Sequence, residues 1–486
     1  MTMPNRRHVL RAMALGGAAT ALPLRWSPTA AAADAANAAG TAGTAAAPGP
    51  FTRPLHIPPV LQPAFRTPTH DVYRMRMREA DVEVLPGLRT RLWTFDGQFP
   101  GPTLRARRGR PVLVEQTNDL TVPATVHLHG GHVSHYDDGY PTDHVAPGTS
   151  RVYHYPNDQR SATLWYHDHT HMAEAVNVYR GLAGTYILED EADRRLRLPA
   201  GRYDIPLALR DAQFEADGTL TYDGLPFHAT ILVNGRPQPY LRVAARRYRF
   251  RFQNQANSRI FQLSLGSDDE LVQIGSDGGL LPAPNPVTTL PLYPAERADV
   301  VIDFSRYPVG SQVLLHNSPN FLPGEPHDIM RFDVVAGDGD DPSRVPDRLA
   351  DAEELGSPVV RREFVLAFDP ATKMMTINGK VFDPDRVDIT PALNTTELWT
   401  VTNPDTTVPL PHTFHVHQAQ FHVVDRDGRP PSAAESGRKD TIAVNPGERV
   451  SFLIRFSEFT GRYVYHCHML EHSDMGMMAQ MELVRG

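Results

Sequence analysis

The stretch from Tyr463 to Met478 carries the densest group of metal-binding side chains in the sequence. It reads YVYHCHMLEHSDMGMM and contains Cys467, the only cysteine among 486 residues. Because successive side chains of a β-strand point to opposite faces, His466 and His468 face one way and Cys467 faces the other. One strand can therefore serve two metal sites.

The residue types in this stretch indicate copper at the first of these sites. Cys467, His472 and Met477 offer a soft thiolate, an imidazole and a weak thioether, which together with a second imidazole from elsewhere make a blue-copper site. Structural zinc would require a closed tetrahedral set of ligands. His466 and His468 then belong to a different cluster, which the backbone on either side of Cys467 joins to the first.

Pairs of histidines separated by one residue recur along the chain. The sequence holds 22 histidines, so a single pair of this kind would carry little information. The pattern recurs at four places along the chain, and His412 lies shortly before the third: His127/His129, His167/His169, His415/His417 and His466/His468. This repetition predicts a site for several metal ions rather than four unrelated pairs of core or surface histidines.

Composition and charge exclude several classes of protein. Hydrophobic residues make up 41% of the chain and charged residues 21%, which is typical of a globular protein with ample material for buried cores. The formal charge of −8 and the lack of a basic tract in the body of the chain argue against a nucleic-acid partner. No apolar run of about twenty residues follows the N-terminal region, so no membrane span is predicted.

The first 60 residues predict export. Residues 1–33 contain Arg6-Arg7, then a mildly apolar run, then small residues ending near Ala33, which is typical of a twin-arginine-type signal peptide. A periplasmic or extracellular location is therefore expected, where a lone cysteine favours a ligand or redox role. Residues 34–60 are rich in Ala, Gly and Pro and are predicted to form a disordered lead-in.

The rest of the chain is predicted to be all-β, with an internal repeat. Short β-branched and aromatic runs alternate with Pro, Gly, Asn and Asp turns. A proline turn leading to a strand occurs three times, at residues 146–169, 293–318 and 445–468. Three consecutive β domains are therefore predicted: 61–195, 196–338 and 361–486, with a linker at 339–360.

The middle copy of the repeat lacks the histidine pairs. It has Phe261-Gln262-Leu263-Ser264 and His316-Asn317-Ser318 where the third copy has Phe414-His415-Val416-His417 and His466-Cys467-His468. The second domain is therefore predicted to hold no copper ligands. His316 has no histidine two residues on, which favours a structural role for it.

Together these motifs resemble those of the multicopper oxidases, near the bacterial spore-coat laccase and bilirubin oxidase branch. The resemblance extends from Phe65 to Met481 and rests on residues 125–130, 164–169, 411–417 and 463–478. It implies three cupredoxin-like domains, each a Greek-key β-sandwich or barrel, with a copper cluster at the interface of the first and third.

The resemblance also implies four copper ions per chain. The type 1 ion would be held by His412, Cys467, His472 and Met477, the type 2 ion by His127 and His415, and the type 3 pair by His129, His167, His169, His417, His466 and His468. Among the crowded methionines, only the offset of ten from Cys467 selects Met477 over Met475 and Met478.

The reaction that the resemblance implies is the reduction of dioxygen to two waters by four one-electron donations. Phenols or aromatic amines would give their electrons at the edge of His472, and the enzyme is expected to be a monomer. Asp138 matches the position of an acid that can relay protons. The residue after His472, commonly glutamate in this branch, is Ser473, which leaves Asp474 as the candidate substitute.

Three other functions share parts of the pattern. A metal oxidase that takes Cu(I) or Mn(II) would use the same coppers, with acidic or methionine residues guiding the ion. A copper-free structural protein of the cell envelope would require lost ligands, and the sequence has lost none. A simple electron carrier would need only one copper and one domain.

Replacing the single thiol tests the central assignment. Cys467→Ser should abolish the blue thiolate absorption band and the oxidase activity, because serine cannot supply the soft anionic ligand. The coppers of the histidine cluster should remain bound, as measured by metal content. A blue variant would contradict the assignment.

Overall fold

The computed structural model describes residues 49–266, 269–318, 321–322, 325–337, 339–406 and 411–486. Strands hold 47% of the chain and helices 6%, so the predicted all-β, cupredoxin-like fold is confirmed. The signal predicted at 1–33 lies outside the described residues. Within them, no helix is long and apolar enough to cross a membrane.

The strands form three successive pairs of packed sheets. The first pair consists of β1 (Phe65–Arg66), β2 (Asp71–Val82), β3 (Thr90–Phe95), β4 (Gly101–Arg107), β5 (Val112–Asn118), β6 (Val126–His129), β7 (Ser150–Tyr155), β8 (Ala162–Asp168) and β9 (Ala183–Glu189). One sheet runs β1-β2-β5-β7 with β3 paired to β2, and the other runs β4-β9-β8-β6. In β2, Tyr73, Met75 and Met77 are buried while the arginines between them face outward, as the two-residue period requires. Helices α1 (Glu174–Tyr179) and α2 (Glu191–Arg195) flank β9.

The second pair of sheets is the largest. It consists of β10 (Asp204–Phe214), β11 (Leu220–Thr221), β12 (Thr230–Val233), β13 (Arg236–Pro237), β14 (Tyr240–Ala244), β15 (Arg247–Asn254), β16 (Phe261–Leu265), β17 (Leu271–Ser276), β18 (Gly279–Val287), β19 (Leu290–Leu292), β20 (Arg297–Asp303), β21 (Gln312–Asn317) and β22 (Asp328–Val335). One sheet runs β13-β12-β10-β15-β20-β17-β18, with β11 beside β10, and the other runs β14-β22-β21-β16-β19. Phe250, Phe252 and Phe332 pack between the two sheets.

The third pair of sheets ends the chain. It consists of β23 (Val360–Asp369), β24 (Met374–Ile377), β25 (Thr396–Thr402), β26 (His412–Val416), β27 (Phe421–Arg426), β28 (Thr441–Val444), β29 (Arg449–Arg455), β30 (Gly461–Cys467) and β31 (Met478–Leu483), with helix α3 (Leu470–Asp474) between the last two strands. One sheet runs β24-β23-β25-β29-β27 and the other β28-β26-β30-β31. Trp399, Phe414 and Tyr465 fill the core between them. The described residues also include three short 3₁₀ helices: Gly201–Tyr203, Phe304–Arg306 and Ala433–Glu435.

The prediction of a disordered lead-in over 34–60 is wrong for its last ten residues. The N–H groups of Phe51 and Leu55 donate to the carbonyl oxygens of Gln238 and Tyr240, at 2.9 and 2.6 Å. Leu55 is buried in the core of the second pair of sheets. Proline favours extended backbone, so a proline-rich segment that also carries apolar side chains can lie along a sheet edge. Residues 34–48 lie outside the described part of the chain.

Candidate metal centre

Two strand pairs, one from the first pair of sheets and one from the third, carry the paired histidines. In the pairing of β6 with β8, His127 lies opposite His167. In the pairing of β26 with β30, His415 lies opposite His466. Residues directly opposite one another share a face of the sheet, so each strand pair projects its imidazoles in one direction.

The imidazoles of the two strand pairs interleave into one buried cluster. His127 stacks on His417 with ring centroids 3.8 Å apart, and His129 stacks on His415 at 3.7 Å. All eight paired histidines are at most 1% exposed. The structure therefore brings together every paired histidine that the sequence singled out, from residues nearly 340 positions apart.

The ring nitrogens at the centre of this cluster have no hydrogen-bond partner. Five of them are buried without one: Nε2 of His127, His167, His415 and His468, and Nδ1 of His129. Buried polar atoms are almost always hydrogen-bonded, so a group of unpaired imidazole nitrogens requires another kind of partner. Metal ions satisfy this requirement, since neutral imidazole is a good ligand for copper.

Three further nitrogens converge on a single point. The Nε2 atoms of His169, His417 and His466 lie 3.2 to 3.3 Å from one another. Nδ1 of His417 donates to Oδ2 of Asp138 at 2.7 Å, and Nδ1 of His466 donates to the carbonyl oxygen of Cys467 at 3.1 Å. Both rings therefore turn a lone pair on Nε2 toward the other, which is favourable only with a cation between them.

Backbone carbonyls set the tautomer of four of the eight rings: His127, His167, His415 and His466. A carbonyl oxygen only accepts, so Nδ1 of His127 must donate to Asp138, and Nδ1 of His415 to Asp440, at 2.6 and 2.7 Å. Their Nε2 atoms are then free for metal. His129 is reversed: its Nε2 lies 3.0 Å from Oδ1 of Asp440, which leaves Nδ1 facing the cluster.

Burial keeps these imidazoles neutral. Desolvation lowers the pKa of His167 to about 3 and that of His466 to about 4. For His167, the nearby His466 and Arg297 lower the pKa further. The pKa values of His127 and His417 lie well below the ordinary value, through desolvation and then the repulsion of adjacent imidazoles. At neutral pH the rings therefore carry the lone pairs that a metal ion needs.

A second cluster lies on the other face of β30. Sγ of Cys467 is 3.6 Å from Nδ1 of His412 and 3.7 Å from Nδ1 of His472, and the two nitrogens are 3.1 Å apart. Cys467 lies opposite Phe414 in β26, and His412 shares that face since it is two residues from Phe414. The strand thus separates the two clusters as the alternation of side chains predicted.

The structure distinguishes the three crowded methionines. Met477 is fully buried in the same core as Cys467, its carbonyl accepts from the Cys467 N–H at 2.9 Å, and its own N–H donates to the His472 carbonyl at 3.0 Å. Met478 packs in a separate cluster with Phe382, and Met475 is only partly buried. Met477 is therefore the methionine enclosed with this second cluster.

The protonation states of the second cluster also suit a metal. Burial raises the pKa of the Cys467 thiol to about 12, so the protein alone does not supply a thiolate. Desolvation lowers the pKa of His412 to about 4. A bound copper ion would take the proton's place on sulfur, because its charge offsets the cost of burying the thiolate.

The sequence did not reveal Asp440, which is fully buried behind the histidine cluster. Besides His129, it accepts from Arg297 Nη1 and Nη2 at 2.7 and 2.5 Å. Arg297 belongs to β20, so the second pair of sheets supports the cluster although it contributes no ligand. The position of Asp440 immediately before β28, which pairs with the ligand strand β26, was the available signal.

Glu174, at the start of α1, was also missed. Its side chain is 1% exposed, its Oε2 accepts from the Ser473 hydroxyl at 2.9 Å, and its Oε1 has no partner. Oε1 lies 3.8 Å from Nδ1 of His167, and Oε2 lies 3.8 Å from Nδ1 of His169. Burial and the nearby charge of Asp474 raise its pKa well above the ordinary value.

Asp474 faces Glu174 rather than the histidines. Its carboxylate accepts from the backbone N–H groups of Glu174 and Ala175 at 3.2 and 3.0 Å, which joins α3 to α1. Desolvation raises the pKa of Asp474 well above the ordinary value, although the hydrogen bond from the Ala175 N–H lowers it. Two buried carboxyl groups thus lie side by side, and only one of them reaches the cluster.

His472 lies at the outer end of the second cluster. It is 8% exposed, whereas Cys467 is fully buried. The preceding residue, Glu471, accepts from Asn257 Nδ2 at 2.8 Å and from the Ser258 hydroxyl at 2.6 Å. The loop after β15 therefore packs against α3, the helix that carries His472.

Known proteins share this arrangement. The multicopper oxidase family models match residues 76–193 and 356–485. A laccase of Bacillus subtilis is 35% identical over 89% of this chain and 98% of its own length, and a bilirubin oxidase of Albifimbria verrucaria is 36% identical over 88% and 80%. The crystal structure of a laccase from Pediococcus acidilactici superposes with a TM-score of 0.83 at 32% identity, covering 90% of this chain and 94% of that one. The chain therefore belongs to the multicopper oxidase family and is a copper-dependent oxidoreductase that uses dioxygen.

Proposed function

We propose that this chain is a laccase-like oxidase that takes single electrons from phenols or aromatic amines. The observation that carries the proposal is the placement of Cys467. Its sulfur lies within 3.7 Å of the surface-facing His472, and its backbone neighbours His466 and His468 both lie in the histidine cluster. An electron that reaches Cys467 has a covalent path to the cluster through either neighbouring histidine.

The unpaired nitrogens support a specific division of four copper ions. His412, Cys467, His472 and Met477 would hold the type 1 ion, and Nε2 of His127 and of His415 the type 2 ion. Of the type 3 pair, one ion would bind the three convergent rings, His169, His417 and His466, and the other would bind His129, His167 and His468. Copper supplies the one-electron chemistry that converts dioxygen to two waters.

The donor would approach the exposed edge of His472. Glu471 beside it is held by Asn257 and Ser258, and Tyr222 lies 3.4 Å from the same carboxylate. This rim has a fixed shape because its polar groups are hydrogen-bonded to one another. Within this rim, the ring of Tyr222 and the edge of the His472 imidazole would contact a flat organic donor.

A second candidate function is the oxidation of Cu(I) or Mn(II). Asp405 is half-buried and lies near the type 1 ligands. Burial lowers the pKa of His412, and the negative charge of Asp405 partly offsets this lowering. A carboxylate near the type 1 ligands would attract a cationic donor. The carboxylate of Asp405 thus favours a metal ion as an electron donor in this second candidate function.

Protons for dioxygen reduction would pass through Glu174. The family's usual carboxylate after His472 is absent, and Ser473 instead donates its hydroxyl to Glu174. Glu174 of α1 would thus take over the role of that carboxylate, since it lies beside His167 and His169. Glu174 would hold the proton at Oε1, and Asp474 would stabilise it from behind.

Asp138 would act mainly by orienting ligands. Its Oδ2 accepts from His417 Nδ1 and its carbonyl accepts from His127 Nδ1, so one residue sets the tautomer of rings from both strand pairs. Its Oδ1 has no hydrogen-bond partner and is open to a proton relay. Orientation of this kind is a general property of carboxylates behind metal-bound imidazoles.

The proposal extends to the compartment in which the enzyme works. The paired arginines near the N-terminus support export to the periplasm or the exterior, where the enzyme would act as a monomer.

Oxygen uptake with a methoxyphenol distinguishes the two classes of donor. The copper-loaded enzyme should consume oxygen at a rate that does not change on addition of excess Cu(II), because organic donors reach His472 directly. Uptake that requires added copper would show that the metal ion carries the electrons, and the second candidate function would replace the first.

Glu174→Gln tests the proton path. The turnover number should fall by about 10²-fold, the effect typical of a lost proton-transfer group, while anaerobic bleaching of the blue band by a phenol stays unchanged. The double variant Glu174→Ser/Ser473→Glu, which restores a carboxyl group from the other side, should recover part of the loss. Full turnover in Glu174→Gln would eliminate this path.

Asp138→Ala tests the orienting role. Removing the acceptor of His417 should weaken copper retention in the histidine cluster by about 10 to 100-fold, measured as metal content after dialysis against a chelator. The blue band should persist, since no type 1 ligand contacts Asp138. The matched variant Asp137→Ala, one residue away and outside the cluster, should retain its copper; equal loss in both would point to general destabilisation.

A further inference from the structure

Two histidines and an aspartate meet where β21 ends and β22 begins, in the second pair of sheets. The pairing of β21 with β22 shifts register between Leu315 and His316, and the shift sets His316 opposite Asp328. Nδ1 of His316 lies 2.6 Å from Oδ1 of Asp328, and Nδ1 of His327 lies 3.2 Å from the same oxygen. The two imidazole centroids are 4.3 Å apart.

Hydrogen bonding accounts for only one of the two contacts to Asp328. His327 Nδ1 is placed to donate to Asp328, but His316 Nδ1 makes no hydrogen bond despite its short distance, because the geometry is unfavourable. If His316 Nδ1 carries no proton, its lone pair is repelled by the carboxylate oxygen 2.6 Å away. A cation that all three atoms share would remove the repulsion.

The spacing of the three atoms suits a transition-metal ion. Nitrogen and oxygen ligands lie about 2.0 to 2.2 Å from zinc, which places neighbouring ligand atoms roughly 3 Å apart. The pairs at 2.6 and 3.2 Å match that spacing. Gly266 leaves room for the His316 ring, since a Cβ at Gly266 would lie 2.5 Å from His316 Nε2.

We propose that His316, His327 and Asp328 form a surface site for a divalent transition metal, of the type that binds Zn(II) or Cu(II). Imidazoles are ligands that these ions prefer and that Ca²⁺ and Mg²⁺ do not, and a carboxylate can complete the set for zinc. The side chains of His316, Asp328 and His327 are 17%, 36% and 55% exposed, so water completes the coordination. None of the three belongs to either copper cluster, and the site therefore holds an additional ion.

The site also revises the interpretation of His316. The sequence favoured a structural role because no histidine lies two residues away. Its partners come instead from the next strand, where His327 and Asp328 are adjacent in sequence. A bulge in the strand pairing, rather than a local motif, brings the three together.

Zinc binding to the copper-loaded enzyme tests the proposal. Equilibrium dialysis against Zn(II) should show that His327→Ala and Asp328→Asn each bind one zinc ion per chain fewer than the unaltered enzyme. The matched control is His422→Ala: Nε2 of His422 lies 3.8 Å from Glu353, but that carboxylate is also 3.7 Å from Arg438, which disfavours a metal ion. This variant should bind as much zinc as the unaltered enzyme.

Copper content and the blue band serve as internal readouts. Both should be the same in all variants, which shows that zinc has not displaced copper and that the fold persists. Equal zinc uptake by the unaltered enzyme, His327→Ala and Asp328→Asn would overturn the proposal. So would a loss of uptake in His422→Ala as large as that in the other two.

Discussion

The structure depends on a group of buried imidazoles that face one another. Eight rings from two distant strand pairs are packed with their lone pairs turned inward. Five of the ring nitrogens at the centre have no hydrogen-bond partner among the described residues. Desolvation keeps the rings neutral, so they cannot relieve the arrangement by taking up protons near neutral pH. Copper binding is then coupled to the association of the first and third pairs of sheets.

The groups that surround these imidazoles do the positioning. Carbonyl oxygens of Asp138, Asp168 and Asp440 each accept from an Nδ1, which sets the nitrogen left for metal. The second pair of sheets, which has no ligands, supports the cluster through Arg297. An enzyme of this kind therefore uses its ligand-free portion to hold the acceptors in place, since a carboxylate buried without a partner would be costly.

Electrons and protons would reach the histidine cluster by separate routes. Electrons would follow β30 through Cys467, whose neighbours on both sides face the cluster. Protons would come from the side where α1 and α3 meet, at Glu174 and Asp474. This separation follows from strand alternation, because the faces of β30 are chemically distinct while its backbone is continuous.

The sequence by itself determined the fold class, the two kinds of metal cluster and the residues in each. These follow from local patterns: alternation along a strand, repeated His-x-His pairs and the offset of Met477 from Cys467. Tertiary structure alone decided which ring nitrogen faces the metal, because this depends on acceptors such as Asp440 that come from other strands. It also decided that Glu174 lies beside the histidine cluster and accepts from Ser473, that residues 51–60 run along a sheet, and that His316 meets His327 and Asp328. The physical reason is the same in each case: a hydrogen bond or shared cation joins residues that no sequence period relates, so only the folded chain brings them together.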